Sequence, residues 1–100
     1  MGSLISCQGI ADLMATDRLF AVFDVRERGE YNECQIPGTT SLPRSQMEFR
    51  IESLVPNRRI PITVYDDADG RAPLALKTLN QLGYSEVSIL DGGLSAWRKD

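Results

Sequence analysis

Histidine is absent from all 100 residues. That removes the commonest general base, and with it Cys–His and Ser–His catalysis. Cysteine occurs only twice, as Cys7 and Cys34, too few and too far apart for a metal framework that no histidine can complete. Neither a metal nor any other cofactor is therefore expected. No apolar run approaches the roughly 20 residues needed to cross a bilayer, and no signal-peptide stretch follows Met1-Gly2-Ser3. A cytoplasmic domain with no membrane partner is the expectation. Basic blocks are missing too: 11 Lys and Arg face 14 Asp and Glu, and the pair Arg58-Arg59 is too short to track a phosphate backbone. Nucleic acid is excluded as a partner, and Arg58-Arg59 reads as a solvated turn.

What is present alternates. Leu4 to Ser6, weakly, and Phe20 to Phe23, the short Thr40 to Leu42, Ile62 to Tyr65 and Val87 to Leu90 read as strands. Phe20 to Phe23 is continuous, as in a strand covered on both faces. Between them, helices are predicted over Gly9–Ala15, Glu27–Asn32 (a helical turn), Gln46–Leu54 (broken, stopped by Pro56), Pro73–Leu82 and Leu94–Lys99. The alternation implies an α/β fold of three layers, with a mostly parallel sheet of about five strands between helices on both faces. A chain this long buries roughly two thirds of its unfolded surface, enough for one core. Residues 1–100 are expected to be a single domain. The end at Asp100, three residues past Trp97, suggests a piece of something longer.

Ligands in parallel sheets bind beyond the C-terminal strand ends. That edge should gather Asp24 to Arg26, Leu42 to Arg44, Asp91 to Gly93, and a polar loop of Asp66, Asp67, Ala68, Asp69, Gly70 and Arg71. A loop between a buried strand and a helix can aim backbone N–H groups and a helix dipole at an anion. Its first position suits a reactive thiolate, yet carries Asp66, which cannot form a persulfide. Three acids in one loop repel dianions, unless Asp66 folds its own carboxylate into the cradle. Arg71 is expected either to hold a small anion or to pair with Asp66, Asp67 or Asp69. Asp24 and Arg26 read as a loop tie, Gly92-Gly93 as a shape element and Trp97 as a core anchor. Cys34 is expected at the opposite sheet edge, with both cysteines inert.

The order of these elements resembles a rhodanese-like (thiosulfate sulfurtransferase) domain. Asp24-Val25-Arg26, Glu30-Tyr31 and Ile36-Pro37-Gly38 match that family's D-V-R, E-Y and I-P-G elements. The loop ending in Arg71, then Leu82-Gly83-Tyr84 and Gly92-Gly93 with Trp97, match its C-terminal half. The departures lie at Asp66, where the family carries its nucleophilic Cys, at Asp69 for Gly, at Cys34-Gln35 for Gly-His, and at Ala72 for Ser. Tyr65-Asp66-Asp67 followed by Ala72-Pro73 is most similar to bacterial chains that string several rhodanese modules together. The resemblance implies a domain inactive in isolation, with no catalytic residue and a degenerate nucleophile position at Asp66. Its role would be structural, regulatory or binding, beside other rhodanese modules or protein domains of the same chain. The alternative is a parent sulfurtransferase that takes its thiol from another domain, or a hydrolase using Asp66 itself.

Overall fold

The computed structural model describes residues 3–15, 19–67 and 69–99. Ala68 of the loop therefore lies outside the described residues. Five strands, β1 (Ser3–Ile5), β2 (Ala21–Asp24), β3 (Thr40–Ser41), β4 (Ile62–Tyr65) and β5 (Val87–Leu90), form one sheet in the order β1-β5-β4-β2-β3. Every pairing is parallel. The helices are α1 (Cys7–Met14), α2 (Arg28–Glu33), α3 (Met47–Leu54), α4 (Arg71–Gln81) and α5 (Gly93–Lys99). The three-layer α/β architecture expected from the sequence is present.

Alternation along the strands sorts the core onto two faces. Phe23, Ile62, Val64 and Val87 point to one side and pack with Met47 and Ile51 of α3 and Ala72, Ala75 and Leu79 of α4. Val22, Tyr65 and Leu90 point to the other, against Ile10 of α1, Ile36 and Leu94 of α5. Trp97 and Met14 pack at the rim of this second cluster, so Trp97 is half an anchor rather than a buried one.

Several boundaries differ from the sequence reading for local reasons. The helix expected from Pro73 begins at Arg71, because Gly70, at φ 90°, supplies the left-handed residue that turns the chain into it. The broken helix over Gln46–Leu54 resolves into a 3-10 turn, Arg44–Gln46, running into α3. Arg58-Arg59 form the turn expected of them, but the Arg58 guanidinium also lies 5.1 Å from the Tyr84 ring centre and its Nε donates to the Leu82 carbonyl. Among the described residues, no helix is long and apolar enough to cross a membrane.

Candidate functional site: the loop after β4

β4 lies at the centre of the sheet, and its C-terminal end opens directly into the loop. The strand ends on Tyr65, whose side chain is fully buried. The Tyr65 hydroxyl accepts from the Ile36 N–H at 3.2 Å and meets Thr39 Oγ1 at 3.1 Å. Burial pushes this phenol up to about 12. Asp66 follows, facing the opposite way and only 4% exposed. Its carbonyl accepts from the Leu94 N–H at 2.9 Å, tying the loop to the start of α5. Gly92 turns the chain into that helix. It holds φ 81°, and a Cβ there would sit 2.6 Å from Ala96 Cβ.

The start of α4 shows where the loop acids go. Ala72 N–H donates to Asp66 Oδ2 at 2.8 Å in a buried setting, and Arg71 N–H donates to Asp69 Oδ1 at 3.3 Å. The third residue of the helix, Pro73, has no N–H to satisfy. Asp67 turns the other way and accepts from Ser95 Oγ at 2.6 Å. A cavity of about 160 Å³ lies over Asp66, walled by Leu4, Gly70, Pro73 and Ile89. That is smaller than sites for drug-sized ligands. A larger cavity, about 430 Å³, borders Cys7, Gln8, Ala11 and Trp97.

Arg71 pairs with Asp69, as expected, but its main partner was not foreseen. Its Nη1 donates to Glu30 Oε1 at 2.6 Å and its Nη2 to Glu30 Oε2 at 3.1 Å; Nη2 also donates to Asp69 Oδ2. Glu30 sits in the first turn of α2, where Oε1 also accepts from the Glu27 N–H at 3.1 Å and closes a capping box. The hydrogen bonds from Arg71 hold the Glu30 carboxyl down at about 2, and that of Asp69 is lowered by the same guanidinium. The two acids in turn raise the Arg71 pKa, Glu30 most. No local sequence signal joins Glu30 to Arg71, since it is the pairing of β2 with β4 that brings them together.

Asp24 and Arg26 form the loop tie expected of them. Arg26 Nη2 donates to Asp24 Oδ2 and to the Cys34 carbonyl, both at 2.6 Å. Cys34 is therefore not at the opposite edge: its carbonyl is bound to Arg26, two residues beyond the end of β2, and its side chain packs on the Tyr65 face. The connection from α2 crosses that face before β3 begins. The remaining edge residues assemble as expected, with Leu42 N–H on the Asp24 carbonyl, Arg44 N–H on the Val25 carbonyl and Asp91 N–H on the Ile5 carbonyl. No cluster of side chains able to hold a metal ion occurs among the described residues.

A parallel five-stranded sheet whose central strand delivers a short loop onto a helix N-terminus is matched over residues 7–100 by the model of the rhodanese-like domain. The chain belongs to this family. A thiosulfate sulfurtransferase from Pseudomonas aeruginosa superposes on this rhodanese-like domain with a TM-score of 0.93 and 41% identity. The match covers 97% of this chain and 18% of that one. The probable adenylyltransferase/sulfurtransferase MoeZ of Mycobacterium tuberculosis is 30% identical over 98% of this chain and 25% of its own. The putative sulfur carrier protein YrkF of Bacillus subtilis is 28% identical over 93% of this chain and 49% of its own. The chain thus spans half or less of these relatives' lengths.

The Glu30–Arg71–Asp69 cluster gives the rhodanese-like domain a defined acid response. Glu30 is held at about 2, below the ordinary value near 4.3 that it takes when unfolded. Its contribution is complete above the unfolded value and is lost as pH falls through about 2. Asp69 acts in the same direction. Urea midpoints followed from pH 7 to pH 2 should fall less steeply below pH 4.5 in Glu30→Gln than in wild type. Parallel curves for the two would refute this role for the pair.

Proposed function

We propose that this rhodanese-like domain is a non-catalytic module that positions or regulates partner modules of a longer chain. The carrying observation is the side chain at the head of the loop. Asp66 takes the position at which the family's nucleophile would stand, and its carboxylate is buried on the Ala72 N–H. A carboxylate cannot accept sulfane sulfur, and none of the residues from Asp66 to Arg71 carries a thiol. The candidate site is the loop Asp66, Asp67, Ala68, Asp69, Gly70 and Arg71, with any external ligand a small anion. The relatives' greater lengths support reading residues 1–100 as one unit among several, in a cytoplasmic protein whose other domains are its partners.

A second reading keeps the enzyme in the parent chain. The P. aeruginosa relative is described as a thiosulfate sulfurtransferase, and this chain resembles 18% of it. A parent of that kind would transfer sulfur with a cysteine from another domain, leaving this one as scaffold.

The isolated domain is expected to form no thiocyanate when given cyanide with thiosulfate or 3-mercaptopyruvate. Colorimetric detection of thiocyanate over hours, with a Cys-bearing rhodanese as positive control, checks this. Turnover that disappears in Cys7→Ser or Cys34→Ser would overturn the non-catalytic reading.

A further inference from the structure

We infer that the loop after β4 is an anion site liganded from within: Asp66 occupies its buried backbone donor, Glu30 its guanidinium, and removing these carboxylates, together more than singly, admits an external oxyanion. This deepens the non-catalytic reading and rests on it for the identity of the loop.

Three observations carry it. First, of the three residues that open α4, two donate their N–H groups to the chain's own acids, Arg71 to Asp69 and Ala72 to Asp66, and Pro73 has none to offer. The positive end of an 11-residue helix is thereby met by built-in negative charge. Second, Glu30 grips Arg71 through both oxygens. This is the two-pronged geometry in which a guanidinium would otherwise take two oxygens of a sulfate or thiosulfate. Third, Asp66 is 4% exposed. A carboxylate is held that deep only when donors replace its water, so it sits as a bound anion would, next to the Gly70 and Pro73 wall of the small cavity above it. A dianion entering the wild-type loop would meet Asp66, Asp69 and Glu30 with one guanidinium among them, and repulsion exceeds attraction.

The test uses thermal melts of wild type, Asp66→Ala, Glu30→Gln and the double variant, with sodium sulfate or sodium thiosulfate replacing sodium chloride at constant ionic strength. Wild type should respond only with the shallow, non-saturating rise that excluded salts give any protein. In the double variant, either anion should add a saturable increment of about 5–10 °C at tenfold over its dissociation constant, with smaller increments in the single variants. A double variant without a saturable increment, or a wild type with an equal one, overturns the inference.

If Asp66→Ala does not fold, Asp66→Val combined with Glu30→Gln keeps comparable side-chain bulk while removing both the charge and the acceptor at position 66. Its Ala72 amide resonance should then shift saturably on sulfate addition, and a stationary resonance overturns the inference. Sulfate binding is read without any turnover. Sulfur transfer by wild type would therefore defeat the non-catalytic reading alone, and sulfate binding by wild type would defeat only the internal-ligand inference.

Discussion

Replacing Arg26 with alanine is expected to lower the stability of the domain by about 3–5 kcal/mol, the cost of leaving a buried charge without its partner. Asp24 is fully buried and Arg26 only 4% exposed. Arg26 Nε donates to Asp24 Oδ1 at 3.0 Å and Oδ2 at 3.1 Å, and Nη2 donates to Oδ2 at 2.6 Å. Those bonds raise the Arg26 pKa despite its burial. Without the guanidinium, Asp24 keeps one of these protein donors, the Arg26 N–H at 2.9 Å, and the Cys34 carbonyl loses its own. Against a total stability of roughly 5–15 kcal/mol for a domain, this is a large share.

Urea melts at pH 7 should show a midpoint well below wild type with an unchanged slope. Arg26→Lys should recover only part of the loss, since one ammonium cannot serve Asp24 and the Cys34 carbonyl in the same planar fork. A loss below about 1 kcal/mol, the range of exposed ion pairs, would show that water reaches Asp24 freely.

Asp66→Ala should cost about 1–3 kcal/mol near neutral pH and low salt, because the buried Ala72 N–H would lose its acceptor. Relief of repulsion works against this but is smaller. Asp69 is already held by Arg71 and Asp67 by Ser95, so each neighbouring charge is offset by a partner of its own. The urea midpoint of the variant should therefore fall. A midpoint equal to or above that of wild type would mark Asp66 as a solvated relic rather than a structural ligand.

The strands were legible because a sheet covered on both faces favours apolar runs, continuous in Phe20–Phe23 and interrupted by a single Thr63 or Ser88 in Ile62–Tyr65 and Val87–Leu90. Their order along the sheet was not legible, since no local signal says that β5 lies between β1 and β4. The loop was visible from its acids, its Arg and the apolar strand before it, and the Asp24–Arg26 tie from its spacing. Glu30 on Arg71 was invisible for a physical reason. The partners stand 41 residues apart and meet only because β2 pairs with β4 in one register, Asp24 beside Tyr65. Cys34 was misplaced because the direction of the chain after α2 was extrapolated as though the connection left the C-terminal edge at once. The contact of Arg58 with Tyr84 was not legible, because charge alone does not reveal that an aromatic ring lies beneath a turn residue.

The two border strands of the sheet, β1 and β3, contain three and two residues. β1 gives way at Ser6, the cap of α1, and β3 is followed two residues later by Pro43, which has no N–H to offer a neighbour. Borders this short give another sheet little to grow on. For a protein that carried several such domains on one string, at the millimolar mutual concentrations that short linkers impose, this brevity has a protective value. Folded neighbours can lie side by side without their sheets fusing.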